Sequence, residues 1–229
     1  MVTASLAQQP TVDEEDTVQV KVKKPDSLRE KFYFRSIRFG TDILALALSG
    51  SERFGGWEVN GDIDLGPFYL AADYGKWGKD DVLATGGSYH NDGTYWRAGV
   101  DISLLKKDPD RNMFFFGLRY ARSSFQEQIV MVNPDPYFGT LSYQLTNGSA
   151  TAGWGELLAG IRVKIWKEFW MGFTSRMKFA LGVNKGNAFT SYDVPGYGIV
   201  GDGANWGFNY QVFWRIPVVK PKKPAVKAP

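Results

Sequence analysis

The feature that most constrains this chain is a two-residue alternation in which one face of each segment carries no charged side chain. Eight segments show it. Successive side chains of a β-strand point to opposite sides, so the pattern predicts strands with one apolar and one charged or small-residue face. The segments cover residues 36–43, 57–65, 68–75, 95–104, 114–121, 156–165, 171–179 and 206–216.

The charged faces of these segments carry both signs in nearly equal number. Near the membrane midplane, an Arg or Lys on the lipid side of a barrel costs about 2–4 kcal/mol. Matched charges packed inside a barrel can instead pair with one another. We therefore predict an interior ion-pair network and an apolar outer wall. The predicted network comprises Arg38, Asp42, Glu58, Asp62, Asp73, Arg97, Asp101, Arg119, Glu156, Arg162, Lys164, Arg176, Lys178 and Arg215, with Asp64 beside them.

The connections between the segments alternate strictly between short and long. Short turns are predicted at 66–67, 106–112 and 167–168, and long links at 45–55, 78–93, 124–153 and 184–203. Outer-membrane barrels show this asymmetry, with short periplasmic turns and longer outside loops. The sequence therefore predicts an all-β, eight-stranded antiparallel transmembrane β-barrel of the bacterial outer membrane, with both termini periplasmic.

The composition agrees with such a wall. No run of about 18 apolar residues occurs, so no transmembrane helix is predicted. Aromatic residues make up 15% of the chain and there are 26 glycines, which is typical of all-β walls with interfacial aromatic rings. We predict that the rings include aromatic residues near strand ends on the apolar face. These are Trp57, Trp96, Tyr120, Trp206 and Trp214.

The sequence outside the alternating segments predicts three further regions. Residues 1–7 resemble the end of a secretory signal, with Ser5 and Ala7 as the small residues before a cleavage point. Residues 8–30 are polar and of mixed charge, which predicts a flexible periplasmic lead-in. The barrel is predicted to span 31–219, and the Lys/Pro-rich residues 220–229 to form a periplasmic tail.

The strand-face motifs resemble an uncharacterised outer-membrane barrel family of Bacteroidota, catalogued as domain of unknown function 6048. The similar motifs, within residues 32–219, are RFGTD (38–42), FYLAADYG (68–75), WRAGVD (96–101), GLRYARSSF (117–125), WGELLAGIRVKIW (154–166) and FNYQVFWRIP (208–217). The resemblance implies an outer-membrane location and a small barrel, and it implies no particular activity. The Lys/Pro tail departs from what such a family leads us to expect.

Candidate catalytic residues are few. The single histidine, His90, lies with Ser88 and Asp92 in a predicted loop, where the three can share a surface but do not easily form a triad. Asp62 and Asp64 form a carboxylate pair that could serve acid–base chemistry, but we expect Arg or Lys side chains across the lumen to pair with them. Cysteine is absent, which excludes disulfides and thiolate chemistry. No cofactor or metal site is predicted.

These observations favour a non-enzymatic role as a structural, anchoring or adaptor component of the cell envelope. The expected partners are outer-membrane lipid and another envelope protein that contacts the long loops or the tails. The net charge of +3 is too small to suggest nucleic acid. Two alternatives remain open: a lipid-modifying enzyme using loop residues near His90, and a narrow pore. Side chains fill the interior of an eight-stranded barrel, which weighs against the pore.

Overall fold

The computed structural model describes residues 34–51, 53–84, 86–105, 108, 110–184 and 189–218. The predicted signal-peptide end, lead-in and tail lie outside these described residues. So do residues 31–33 and 219 of the predicted barrel.

The described residues are almost entirely strand. In chain order the elements are β1 (Ser36–Asp42), α1 (Ile43–Leu48), β2 (Phe54–Asp64), β3 (Phe68–Val82), β4 (Ser88–Ser103), β5 (Met113–Asp135), β6 (Gly139–Trp166), β7 (Phe169–Asn184), β8 (Asp193–Val194), β9 (Gly198–Ile199) and β10 (Asn205–Pro217). Strands β1 to β7 and β10 form one antiparallel sheet that closes into a barrel, while β8 and β9 form a separate hairpin. The prediction of an all-β fold with eight antiparallel strands is confirmed.

The stagger of the strands sets the width of the barrel. Paired residues can be followed round the sheet from Ile37 through Ile63, Leu70, Val100, Leu118, Leu157 and Met177 to Trp206. Across the closure, however, Ile37 pairs with Ile216, ten residues beyond Trp206. Eight strands with this shear enclose a space that side chains can fill. We call this space the lumen.

The two ends of the barrel are built differently. At the turn end, residues 65–67 connect β2 to β3 and residues 167–168 connect β6 to β7, and β4 is followed by β5 at the same end, as predicted. At the loop end, β3 and β4 pair as far as Val82 and Ser88, and β5 and β6 as far as Asp135 and Gly139. The predicted long links at 78–93 and 124–153 are therefore wrong. Both are mostly paired strand, because the hairpins continue after their outward side chains have become polar.

The first predicted strand also ends early. The alternation places Ile43 on the outer face of β1, but Ile43 begins α1. Asp42 caps this helix, since its carboxylate accepts a hydrogen bond from the N–H of Leu44 at 2.9 Å. The segment ILALAL is rich in good helix formers, which explains the switch. No helix in the described part of the chain is long and apolar enough to cross a membrane.

The two faces of the sheet differ sharply in exposure. Outward apolar side chains are exposed, for example Leu118 at 63% and Phe208 at 54%. Inward charged side chains are buried, for example Asp101 at 0% and Arg38 at 2%. The apolar side chains thus cover the outside of the barrel while the charges fill its centre, the reverse of a sandwich or barrel with an apolar core.

Candidate functional site: the charged lumen and its mouth at the loop end

Two ion-pair clusters occupy the lumen. In the one nearer the turn end, Asp62 lies between Arg38 Nε at 2.9 Å and Arg162 Nη1 at 2.7 Å. Asp101 accepts from Arg162 Nη2 at 3.3 Å, and from both terminal nitrogens of Arg119 at 2.7 and 2.9 Å. Three arginines and two aspartates from β1, β2, β4, β5 and β6 thus form one connected chain across the lumen.

The second cluster lies nearer the loop end and contains more carboxylates than arginines, the reverse of the first cluster. Arg97 pairs with Glu58 at 2.8 Å, Asp73 at 3.4 Å and Glu156 at 3.4 Å. Arg176 pairs with Glu156 at 2.9 Å and Asp73 at 3.1 Å. This cluster therefore contains two arginines and three carboxylates.

Neutral donors complete the second cluster. Tyr95 donates its hydroxyl to Glu58 at 2.6 Å, and Trp154 donates its indole N–H to Glu156 at 2.7 Å. Asn60 donates to both Glu58 and Asp73. Taken together, the two clusters hold five arginines and five carboxylates, so the network is electrically neutral. Pairing and hydrogen bonding of this kind are what make buried charges tolerable.

At the turn end, aromatic side chains pack against the arginines of the first cluster. The Arg38 guanidinium lies 4.8 Å from the ring centre of Tyr69 and 5.3 Å from that of Trp170. Arg162 lies within 5 Å of both Phe115 and Phe213. All four rings are buried. The turn end is therefore filled by stacked arginine and aromatic planes rather than by open space.

Inward glycines give the long side chains room. A Cβ built on Gly117 would lie 2.1 Å from Oδ1 of Asp101, and one on Gly160 would lie 2.7 Å from the Phe115 ring. A Cβ on Gly207 would meet the end of the Lys178 side chain at 2.8 Å. Gly117 and Gly160 therefore exclude larger residues for reasons of space, whereas the flexible end of Lys178 could move to admit a side chain at position 207.

Two residues of the predicted network lie at its edge. Lys164 pairs with Asp110 at 2.9 Å, and Arg215 pairs with Glu168 at 3.6 Å. Both partners belong to turn-end connections, and both pairs are partly exposed. Asp64, close by, pairs with Arg111. These three pairs form a rim at the turn end and do not join the central clusters.

Residues 189–200, between β7 and β10, fold into the barrel mouth at the loop end. We call these residues, which include β8 and β9, the plug hairpin. Val194 and Tyr197 are buried against Tyr95, Phe125 and Trp154. The plug hairpin is also held by polar contacts. For example, the side-chain amide of Asn91 donates to the Asp193 carbonyl at 2.8 Å. The sequence predicted a long outside loop here, and its inward course was not foreseen.

Charged groups around the plug hairpin have perturbed pKa values. Burial raises the pKa of Asp193 despite Lys79, whose ammonium lies 3.4 Å away. Burial, with Glu127 next to it, raises the pKa of Tyr89 above its usual range. The Tyr89 hydroxyl donates to Glu127 at 3.0 Å, and it accepts from the Asp193 N–H at 3.2 Å. The mouth is thus closed by a second polar network.

Asp42 and Lys178 belong to the predicted network but join neither cluster. Lys178 donates to the carbonyls of Gly196 at 2.8 Å and Tyr197 at 3.2 Å. Asp42 accepts from backbone N–H groups of Leu44 and Tyr210 and from the Asn209 amide. Within the described residues neither side chain has an ion-pair partner, although both are buried. Both line a cavity of about 240 Å³ at the mouth.

The structure separates the residues of the catalytic alternative. Ser88, His90 and Asp92 are alternate residues of β4, so their Cα atoms are spaced by about 6–7 Å per pair along one strand face. The Nδ1 atom of His90 contacts Oδ1 of Asp80 at 2.5 Å instead, and both side chains are exposed. In the described ranges, no three His, Asp or Glu residues are grouped so as to hold a metal ion. These contacts do not assemble a nucleophile beside a base.

The predicted interface aromatics lie on the outer face, and Trp57 is close to the loop-end limit of β2, but Trp96 and Tyr120 are well inside their strands. The expectation that the aromatics lie near strand ends is wrong for these two. Towards the loop end the outward residues become polar, as the paired series Lys76, Thr94 and Ser124 shows. Trp206 lies at the start of β10, and Trp214 lies near its turn-end limit. The aromatic residues thus lie at the limits of the apolar wall, which do not always coincide with the ends of the strands.

Several structurally important inward residues were not singled out in the sequence. Trp154 and Trp170 are almost completely buried, and Met113 accepts a contact from Arg38 at 3.0 Å. Extending the two-residue period to the ends of the strands would have placed all three on the inward face. The pairing of particular charges, such as Arg162 with Asp62, joins residues 100 positions apart and has no local signal.

A family model matches residues 1–221, nearly the whole chain, and describes a domain of unknown function (DUF6048). The chain belongs to this family. The family assignment made from the strand motifs is confirmed, and the match also includes the N-terminal residues that the resemblance left out. No curated protein matches the chain.

Proposed function

We propose that this DUF6048 chain is a non-enzymatic outer-membrane β-barrel that serves as a structural, anchoring or adaptor component of a bacterial cell envelope. The observation that carries the proposal is the inversion of its faces. A neutral ion-pair network fills the lumen while exposed Leu, Ile, Phe and Trp side chains cover the outer wall. The sheet closes on itself, so over the length of β1 its strands are paired round the whole circumference, as lipid requires.

The proposed orientation places the turn end in the periplasm. Short periplasmic turns and longer outside hairpins are usual in such barrels. β1 begins and β10 ends at the turn end, so both termini would be periplasmic. Outer-membrane lipid is then the first partner of the apolar wall.

A protruding hairpin supports the adaptor part of the proposal. Beyond Val130, where pairing with β4 stops, β5 and β6 continue together as residues 131–143, which we call the arm. Tyr137 and Phe138 at its tip are 90% and 92% exposed. Asp135 accepts hydrogen bonds from both backbone N–H groups, which orders the turn and lowers the pKa of Asp135. Ordered, exposed aromatics are suited to contact a partner.

Membrane residence is tested by refolding the full chain into phospholipid vesicles. We expect a protein that stays with the vesicles after carbonate washing and migrates as a compact species on unheated denaturing gels. Planar-bilayer recordings of the same preparation should show no conductance above background, because side chains fill the lumen. A chain that folds in aqueous buffer and leaves the vesicles would overturn the proposal, and steady conductance would favour the pore.

The adaptor role is tested by photo-crosslinking in intact cells. A photoreactive residue replaces Phe138 at the tip of the arm, and the control replaces Val82, which is 79% exposed in the neighbouring β3–β4 hairpin. We expect a discrete crosslinked envelope protein from position 138 and none from position 82. Failure of both positions to crosslink any protein would leave the chain with an anchoring role alone.

A further inference from the structure

The barrel wall has a notch at the loop end, between β2 and β10. β1 ends at Asp42, whereas β2 and β10 extend further towards the loop end, through residues 54–58 and 205–210. Along that stretch, no strand of the described residues lies between them. Helix α1 contacts both strands and occupies the gap only in part. The sheet is therefore interrupted at one place on its circumference.

The cavity of about 240 Å³ passes through this notch. Its lining includes Leu44, Trp206 and Phe208, whose side chains are largely exposed, and Glu58 and Lys178, whose side chains point inward. A single space is thus bordered by the apolar outer wall and by the polar lumen. Its volume holds several water molecules, each of which takes about 30 Å³.

The polar side of the cavity carries two charged groups, Lys178 and Asp42, that have no ion-pair partner among the described residues. An ammonium group has three donors, and two of those on Lys178 are used by backbone carbonyls. Asn209 bridges the carboxylates of Asp42 and Glu58, but only Glu58 is paired with an arginine. A buried charge without a direct ion-pair partner is costly, so an ammonium and a carboxylate that face one cavity favour a ligand that pairs with both.

We propose that the notch cavity binds the head group of a zwitterionic amphiphile, with its anionic group at Lys178 and its ammonium group at Asp42. The acyl chain would lie on the outer wall beside α1, where Leu44, Leu46 and Leu48 are between 40% and 45% exposed. The ligand enters sideways from the membrane rather than through the mouth, which the plug hairpin covers. This inference rests on the proposed membrane residence.

The test is native mass spectrometry of the full chain released from detergent micelles and titrated with single-chain lipids. Lysophosphatidylethanolamine is the zwitterionic probe, lysophosphatidylglycerol of the same chain length is the anionic control, and glycerophosphoethanolamine is the head group without a chain. We expect one tightly bound copy of the first. The two controls should bind at least about tenfold more weakly, which corresponds to about 1.4 kcal/mol.

Two kinds of variant locate the site. Lys178→Met and Asp42→Asn each remove one charge-assisted contact and should weaken binding of the zwitterionic probe about tenfold or more. Lys164→Met is the matched control, since Lys164 is an inward lysine at the opposite end, paired with Asp110. Leu48→Trp fills the cavity from outside without altering any charged group, and it should also abolish binding even if a charge variant does not fold.

The outcomes separate this inference from the proposed function. If the chain stays in vesicles but binds all three probes alike, or if folded Lys178→Met and Leu48→Trp bind as the parent does, the inference is wrong and membrane residence stands. Equal binding of glycerophosphoethanolamine would show a site for a soluble zwitterion and overturn lateral access. If the chain does not enter vesicles at all, the proposed function itself is wrong.

Discussion

At the scale of single residues, the stability of the barrel depends on carboxylates that each serve more than one arginine. Asp101 is completely buried and holds both Arg119 and Arg162. Removing this carboxylate leaves Arg119 without an ion-pair partner among the described residues, and it leaves Arg162 with Asp62 alone, which also serves Arg38. The network is therefore more sensitive to the loss of one partner than to the joint replacement of all of them.

Replacing Asp101 with Asn should lower the free energy of unfolding by about 3–5 kcal/mol, the usual cost of breaking a buried ion pair. Urea unfolding in detergent micelles or vesicles, followed by tryptophan fluorescence, measures the change. Lys164→Met is the control and should cost at most about 1 kcal/mol, because its pair is partly exposed. Equal effects of the two substitutions would contradict a lumen held together by buried charges.

A second prediction at this scale concerns glycine. Gly117→Ala should destabilise the fold by about 1–3 kcal/mol, since the new methyl group would overlap the Asp101 carboxylate in a packed lumen. Gly155→Ala is the matched control on the paired strand β6, where a Cβ meets no atom within 4 Å. The same unfolding assay applies. An unaffected Gly117→Ala variant would show that the lumen is looser than the structure indicates.

At the scale of elements, the plug hairpin links the pH of the medium to closure of the mouth. Folding raises the pKa of Asp193, so the docked hairpin binds a proton more readily than the undocked one. Docking is therefore strongest while Asp193 is protonated, and it weakens as the pH rises from about 4 through the raised folded value. The neighbouring charges that act on Asp193 are Lys79, Lys178 and Glu127.

Hydrogen exchange of the peptide covering residues 193–200, corrected for intrinsic exchange rates, measures this dependence. Protection should fall with rising pH in the parent chain. In the Asp193→Asn variant the protection should stay constant over the same interval, because no titrating group remains at that position. Protection that rises with pH, or an unchanged slope in the variant, would rule out Asp193 as the group responsible.

The strands also show how much of the fold a local sequence pattern can predict. The two-residue period predicts the faces of all eight strands, because one apolar and one charged face persist wherever a strand crosses the wall. It fails at Ile43, where a short apolar run suits a helix as well as a strand. It also misses the strand extensions around Lys76 and Thr94, since outward polar residues there break the apolar alternation that defined the segments.

At the scale of the whole molecule, the candidate site could be predicted in composition but not in arrangement. The sequence identifies the charges that face inward. Which strands meet across the closure decides three further features. These are the division into two clusters, the notch left by the short β1, and the lack of ion-pair partners for Lys178 and Asp42 among the described residues. Such contacts join residues far apart in sequence, as Asn209 and Asp42 do at a separation of 167 positions. No period or motif encodes them.

The central claim is that the apolar outer wall faces hydrocarbon. The chain contains no cysteine, so single nitroxide labels can be placed at successive positions of β5 in vesicle-reconstituted protein. Phe116→Cys and Leu118→Cys should be accessible to oxygen dissolved in the lipid and protected from a water-soluble nickel complex. Phe115→Cys and Ala121→Cys, both inward and buried, should be protected from both. Collision of labels at 116 and 118 with the nickel complex, as on a protein surrounded by water, would contradict the account.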